Sequence, residues 1–517
     1  MRVDDVVSGN ARRHPNQRAI KDARGSFTWA ELDQRVNRLA NALRTGLGLA
    51  TGDRVAMLSE NRNEYVEASY ATSKAELVFT PLNHRLALAE LETITADAEP
   101  RVLLYSAAYQ EHAVALADRY GLELVALDPG SAGASYDALV ARGLAAFDPP
   151  DASADDLRGI CYTGGTTGLP KGVMLTHRGI MALAVNQQVN ERLLPTDRHL
   201  VVFPFGLLAG HLIAPWYGYQ GAVMVLLPRF DPEDVLRTIE AERITTVMLA
   251  PTMINALLQH ARTGSFDVSS LRHILYGSSP ISPEILLPAI ERFGCDFIQV
   301  YGQTESTGFV LLLPPEDHRS DVPEAGRTRR LRTAGREMSN AWVRVVDDDD
   351  QPVPPGEPGE LCVRGEQVMK GYWRKPELTA ETLRGGWLHT GDIARVDDEG
   401  YFEIVDRKKD LIISGGLNIY PKEVELCLHE HPAVREVAVI GIPHNYWGEA
   451  VHAVVALKAG HRTTAEELIA FCRPRLASYK KPHSIQFLEQ FPLTAAGKIA
   501  KPELRAPYWQ GQRRKVH

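Results

Sequence analysis

The chain reads as an α/β protein in two parts. A large N-terminal domain of several subdomains, with parallel-rich sheets and a small β-barrel, precedes a small mobile α+β domain. Three observations predict this. Helical and strand-like runs alternate over the first three hundred residues, which favours layered α/β structure with parallel strands. From about residue 335 the texture changes to short strands and turns, and after "DRKKD" (406–410) it changes again to mixed helix and strand. The length, 517 residues, accommodates about three domains.

In chain order, "FTWAELDQRVNRLANALRTG" (27–46) has helical spacing between a threonine start and a glycine stop. "DRVAMLSE" (53–60), "VLLYS" (102–106), "LELVALD" (122–128), "TTVMLA" (245–250) and "RHILYG" (272–277) read as strands. The apolar stretch 201–228, "VVFPFGLLAGHLIAPWYGYQGAVMVLLP", is long enough to cross a bilayer. Pro204, Pro215 and four glycines break it, so it reads as a strand, a short helix and a strand in a large core, lining a hydrophobic ligand pocket. "AWVRVVDDDDQPVPPGEPGELCVRG" (341–365) and "YFEIVDRKKDLIIS" (401–414) supply short strands, with Asp347–Asp350 in a solvated turn and not a metal site. The last part reads helix (421–432), strand (435–442), strand (452–458), helix (465–477), strand (484–489). The boundary is expected at 407–409, giving domains 1–407 and 408–517.

Composition excludes several classes. Apolar residues make up 44% and charged residues 24%, as in ordinary globular proteins. A net charge of −8 with mixed signs argues against a nucleic-acid partner. Cysteines 161, 295, 362, 427 and 472 form no C-x-x-C pair, so neither a zinc site nor a disulfide framework is expected, and a reducing, cytoplasmic setting is the default. "MRVDDVVSGNARRHP" does not read as a signal peptide, and "QRRKVH" carries no peroxisomal or prenylation signal. No integral membrane contact is expected, and a homodimer is compatible with the sequence.

Chemistry concentrates in a few stretches. "YTGGTTGLPKG" (162–172) has the bare backbone, hydroxyls and lysine of a phosphate loop. It is not a Walker loop, because Pro170 precedes Lys171 and Gly172 follows it. "YGSSP" (276–280), "YGQTE" (301–305), "GGWLHTGD" (385–392), "VDRKKDLIISGGLNIYPKEVE" (405–425) and "PLTAAGKI" (492–499) follow in order. Together these stretches resemble the adenylate-forming family of acyl-CoA synthetases, nonribosomal adenylation domains and beetle luciferases, and the resemblance covers nearly the whole chain.

The resemblance implies roles. Thr163, Gly165, Thr166, Thr167, Gly168 and Lys171 would close over the β- and γ-phosphates of ATP, with Gly164 standing where a hydroxyl residue is common. Tyr301 would stack on adenine, Thr304 touch the α-phosphate and Glu305 hold Mg²⁺. Ser278 and Ser279 would line the nucleotide pocket, while Gly206, Leu207, Gly277 and Gly302 would line the acyl pocket. Asp392 would accept from the ribose hydroxyls with Arg407 assisting. Lys498 would bridge the carboxylate and ATP oxygens, offsetting charge as the α-phosphorus is attacked. Lys409 would be the hinge of a rotation that brings Gly415 and Gly416 up to form the coenzyme A tunnel.

The expected activity is therefore an ATP-, Mg²⁺- and CoA-dependent ligase that turns a small-molecule carboxylic acid into its CoA thioester through acyl-AMP. "PFGLLAG" (204–210) departs from the family's P-x-F-H-x-x-G, and a smaller apolar pocket mouth points to a bulky or long hydrophobic acid. No aspartate falls in 201–228 to meet an α-ammonium, which disfavours amino-acid activation. Three alternatives stay open: an acyl-AMP ligase serving a carrier protein, a luciferase-type oxidation, and a non-catalytic acyl-nucleotide sensor.

Overall fold

A computed structural model describes residues 1–163, 170–279, 281–319, 324–415, 417–494 and 498–510, with 324 and 325 as backbone only. Two compact units emerge: 1–343 with 363–388, and 344–362 with 389–517.

In the first unit two sheets carry most of the chain. One has nine strands among the described residues, ordered from edge to edge as Arg336–Glu337, Gly308–Leu313, Asp296–Gln303, His273–Gly277, Thr246–Leu249, Arg198–Val201, Val223–Leu226, Arg18–Lys21 and Ser26–Thr28. Its centre is parallel, from Asp296–Gln303 across to Arg18–Lys21. The short apolar runs "VMVL" and "TVML" are buried at every position, as suits strands covered on both faces. The other sheet runs Gly371–Tyr372, Lys171–Thr176, Leu157–Thr163, Val78–Leu82, Arg54–Leu58, Val102–Tyr105, Glu123–Ala126 and Ala134–Ser135. It is parallel except at the Leu157–Thr163 hairpin edge.

The expected first helix forms at Trp29–Asn41. Thr28 accepts from the Glu31 amide and Glu31 reaches back to the Thr28 amide, a capping box that contributes about 1 kcal/mol. Trp29, Leu32, Val36 and Leu39 line its buried face. Its last turn, Ala42–Gly46, widens into a π-helix before the glycine stop. The apolar run resolves as read: strand Arg198–Val201, helix Leu208–Gln220 and strand Val223–Leu226. That helix has 13 residues, and among the described residues no helix is long and apolar enough to cross a membrane.

The second unit holds two further sheets. Strands Trp342–Val346, Gly359–Arg364, Leu388–Val396 and Phe402–Arg407 lie side by side in that order, the first three of them crossing the unit boundary in sequence. Where a small barrel was expected, the described residues form a four-stranded sheet. The other sheet is built on the long antiparallel pair Val434–His444 and Gly448–Leu457, joined by Ile412–Ser414, Leu417–Ile419 and the parallel strand Ser484–Phe487. Helices Pro421–His429 and Ala465–Cys472 cover one face through Val424, Leu428 and Leu468. Cys427 and Cys472, distant in sequence, are both buried in that core as free thiols.

These compact units divide ahead of the boundary expected at 407/408, because the strands 344–362 and 389–407 group with the C-terminal elements. Compactness and hinge motion are different properties, and the hinge is taken up as a proposal below.

At Gly302 the antiparallel partners Asp296–Gln303 and Gly308–Leu313 shift register. A Cβ there would stand 1.9 Å from the Gly308 carbonyl oxygen, and no side-chain rotation relieves a clash with backbone. Gly302→Ala is expected to destabilise the first unit by about 2 kcal/mol, read as a lowered denaturant midpoint; an unchanged midpoint refutes the packing argument.

Candidate active site

In the first unit the expected residues gather at strand ends. The strands His273–Gly277 and Asp296–Gln303 are parallel neighbours, so Ser278, Ser279, Thr304 and Glu305 all follow carboxyl ends, where open α/β sheets bind ligands. Gly277 allows the strands to close up: a Cβ there would lie 2.5 Å from the Val300 carbonyl oxygen. Ser278 has φ +71°, a left-handed conformation that costs a non-glycine residue on the order of 1 kcal/mol. Tyr301 is half-buried near the end of the second strand. Thr304–Ser306 make one 3₁₀ turn, fixed by Ser306 Oγ, which accepts from the Gln303 amide (3.0 Å) and donates to the Gly308 carbonyl (2.7 Å).

The phosphate-loop stretch straddles a hairpin. Leu157–Thr163 and Lys171–Thr176 pair antiparallel, with Thr163 opposite Lys171 at the loop's mouth. Gly165, Thr166, Thr167 and Gly168 lie outside the described residues. Gly172 answers to packing: a Cβ would meet Ile160 at 2.8 Å, Tyr162 at 3.0 Å and Trp373 at 3.2 Å.

Tyr372 joins these elements, and sequence reasoning passed over it. It sits on the edge strand Gly371–Tyr372, opposite Val173. Its hydroxyl donates to Glu305 Oε1 at 2.9 Å, and its ring centroid lies 5.3 Å from Lys171 Nζ. Burial, reinforced by the Glu305 charge, pushes the phenol's pKa up, so it stays a proton donor to the carboxylate. The flanking backbone adds three bonds: Met369 N–H to the Glu305 carbonyl (2.9 Å), Lys370 N–H to Met174 (3.0 Å) and Trp373 N–H to Gly172 (2.7 Å). The available signal was "GYW" (371–373), two large aromatics after a glycine in an otherwise polar stretch.

The proposed acyl wall is mixed. A Cβ at Gly206 would fall 2.4 Å from the Leu82 carbonyl oxygen and 2.7 Å from Asn83 Cα, so this glycine serves close backbone packing. Leu207 is half-buried and caps the helix Leu208–Gln220. His211 is buried and stacked on Phe79 at 5.4 Å; burial holds its pKa well below the usual range, so it is neutral.

In the second unit Asp392 is buried and pairs with Arg407 across antiparallel strands, Arg407 Nε lying 3.0 Å from Asp392 Oδ1. Lys498 lies within the loop closed by the bridge between Leu493 and Ile499, its carbonyl accepting from the Thr494 amide at 2.7 Å. Although the residue as a whole is exposed, partial burial of its ammonium lowers the Lys498 pKa, the Arg407 charge adds to this, and Asp392 opposes it. Asp392, Arg407 and Lys498 therefore share one electrostatic neighbourhood. Lys409 has its pKa pushed down to about 8, by burial first and then by Arg407, against Asp410 and Asp392. Gly415 turns at φ +59° with its amide bonded to the Trp447 carbonyl (2.8 Å); Gly416 lies outside the described residues. In the same unit Lys501 pairs with Glu425 (2.7 Å) and Arg505 with Asp410 (2.9 Å).

These donors fit ATP with Mg²⁺. Glu305 offers a hard carboxylate, held in place at one oxygen by Tyr372, and Thr163 and Lys171 face each other where phosphate oxygens would enter. Among the described residues no cluster of three His, Cys, Asp or Glu side chains could hold a metal. Mg²⁺ takes one or two carboxylates plus phosphate oxygens and water.

Comparison with known proteins agrees. The AMP-binding enzyme family matches residues 7–373 and its C-terminal domain matches 423–498. Feruloyl-CoA synthase from Amycolatopsis sp is 42% identical over 96% of both chains, and indoleacetate–CoA ligase from Aromatoleum aromaticum 36% identical over 98% of both. The solved structure of ATP-bound MatB from Rhodopseudomonas palustris superposes with a TM-score of 0.87 at 32% identity, over 98% of this chain and 99% of that one. The chain belongs to the AMP-binding, adenylate-forming enzyme family. It is an AMP-forming acyl-CoA synthetase, an acid–thiol ligase using ATP, Mg²⁺ and CoA.

Two outcomes follow from this geometry. Tyr372→Phe deletes a hydrogen bond to a charged group, worth about 2 kcal/mol, and is expected to raise the Mg²⁺ concentration needed for half-maximal pyrophosphate release about tenfold; an unchanged requirement refutes the link. For Lys409, the unfolded chain keeps its proton up to a pKa of about 10.4, while the folded state releases it near 8. Between these values the unfolded state binds more protons, so stability rises with pH. Lys409→Met is expected to flatten that rise, measured as urea midpoints on either side of the window; a slope equal to that of the parent chain refutes it.

Proposed function

We propose that the acid is a bulky hydrophobic one, aromatic in the main, and that the site residues divide the two half-reactions between them. The meeting of Lys171 and Glu305 on Tyr372 carries the reading, because it puts a phosphate-binding cation and a metal-binding carboxylate on one side chain. In the first half-reaction Thr163, Lys171 and the loop between them hold the β- and γ-phosphates. Tyr301, Ser278 and Ser279 hold the adenine end, with Thr304 at the α-phosphate. Asp392 and Arg407 take the ribose hydroxyls. Mg²⁺, held by Glu305, would withdraw charge from the phosphates. Lys498 neutralises the approach of the carboxylate to the α-phosphorus, and its lowered pKa reflects a place where its charge is poorly solvated until those anions arrive.

For the second half-reaction, residues 408–517 turn about Lys409, and the Gly415–Gly416 face admits the pantetheine thiol, where a side chain would obstruct it. The aromatic acids named in feruloyl-CoA synthase and indoleacetate–CoA ligase support the substrate class. So does the stretch 201–228, which holds no carboxylate and whose one histidine is buried and neutral. A cytoplasmic setting accords with five free cysteines, and the assembly, homodimer or monomer, is read from mass in solution.

The test is mass spectrometry of the protein with ATP, Mg²⁺, CoA and acids from acetate to aryl-propenoic, arylacetic and long-chain acids. Aryl acyl-CoA is expected as the main product, and a product confined to small aliphatic acids refutes the substrate class. Acyl-AMP without acyl-CoA would assign another acceptor. Lys498→Ala should cut acyl-AMP formation about a hundredfold, whereas Gly416→Leu should spare it and abolish thioester formation.

A further inference from the structure

The acidic turn Asp347–Asp350 and the buried Glu360 belong to no step above, yet they contact Gly391, Lys408 and His389, chain neighbours of the Asp392–Arg407 pair. Glu360 sits on the strand Gly359–Arg364 and is buried. Its Oε1 accepts from the Gly391 amide at 3.1 Å, one residue before Asp392. Its Oε2 lies 3.3 Å from Lys408 Nζ, one residue after Arg407, and 3.5 Å from His389 Nδ1. A single carboxylate thus grips the neighbour of each member of the pair. The turn completes the enclosure: Asp348 lies 3.0 Å from Lys408 Nζ, and Asp350 3.7 Å from His389 Nε2, whose ring also meets Cys362 Sγ at 3.3 Å through Nδ1.

Gly391 needs this grip. It stands at φ +71°, a conformation glycine enters as easily as it leaves, so glycine alone does not fix where the next side chain points. The amide bond to Glu360 and the Thr390 hydroxyl bond to the Leu361 carbonyl (2.7 Å) pin the turn to the neighbouring strand. Lys408, charged and half-buried, pins the other strand through the same carboxylate.

We propose that Glu360 is a positioning residue for ribose recognition, holding the Asp392 carboxylate and Arg407 at fixed separation before the nucleotide binds. The inference rests on the assignment of Asp392 and Arg407 to the ribose. Glu360→Gln keeps the size and one acceptor, but turns a donor or a neutral oxygen toward Lys408 and His389, releasing one strand from the other.

The experiment measures the affinity of the full chain, with Mg²⁺, for ATP and for 2′,3′-dideoxy-ATP. The unaltered protein should prefer ATP by about tenfold or more, the size of a hydrogen bond to a charged group. Glu360→Gln should pull that ratio toward one by weakening ATP alone, and Asp392→Asn should do the same. The double variant should add little, as expected for residues acting through one contact. If Glu360→Gln fails to fold, Glu360→Asp, which withdraws the carboxylate by one methylene, should give an intermediate ratio. A folded Glu360 variant that keeps the full preference, or that weakens both nucleotides equally, overturns the inference while leaving the ribose assignment standing. An Asp392→Asn chain that keeps the full preference overturns the ribose assignment and the inference with it.

Discussion

The first unit depends on a short seam of backbone. Gly371–Tyr372 adds one more strand to the edge of the second sheet, and the amides on either side of it bond to Gly172, Met174 and Glu305. Glu305 belongs to the turn that ends a strand of the first sheet. The seam therefore ties the Leu157–Thr163 and Lys171–Thr176 hairpin of one sheet to the Thr304–Ser306 turn of the other. Tyr372 is buried at that junction, and its hydroxyl adds a side-chain bond to Glu305 there. A hydrogen bond to a carboxylate is strengthened there, and its loss leaves a charge short of a partner.

Charge governs the second unit in a different way. Asp406 accepts from the Arg407 and Lys422 amides at 2.7 Å each, and burial raises its pKa to about 6. Close by, Lys501 and Arg505 meet Glu425 and Asp410. Desolvation works against every charge in this cluster. Lys501 is nevertheless pushed to a higher pKa because Glu425, Asp406 and Asp410 together outweigh burial. Such clusters add little net stability compared with apolar packing, but breaking one member is costly. The C-terminal helix Lys501–Arg505 is thereby fastened to the segment just before and after the expected hinge.

Much of this was legible in the chain. The helix at Trp29–Asn41 announces itself through threonine, glutamate and a 3.6-residue apolar repeat, and the strands "TVML" and "HILYG" through continuous apolar runs. The site stretches fell at strand ends because glycine-rich motifs mark where strands stop. Tyr372 and Glu360 were not legible, because each acts through partners 67 and 31 residues away in sequence. Beyond the paired aromatics of "GYW", neither spacing nor residue type announces such a contact. Short strands with tight turns look alike in sequence whether or not a sheet closes. At Gly206 a glycine looks in sequence like empty space, whereas the Leu82–Asn83 backbone stands where a Cβ would be.

That filled space bears on how the acid range of this enzyme can change. Position 206 is sealed by main chain, and main chain does not retreat by rotating a bond. A library randomised there would sample mostly damaged scaffolds and return little information about the acid. Leu207, half-buried and set at the entrance of a helix, can exchange one apolar shape for another without moving the strand behind it. Of two adjacent residues, one is architecture and the other is adjustable, so under the proposed acyl-pocket assignment a new preference for acids would be reached through the second while the first stays fixed.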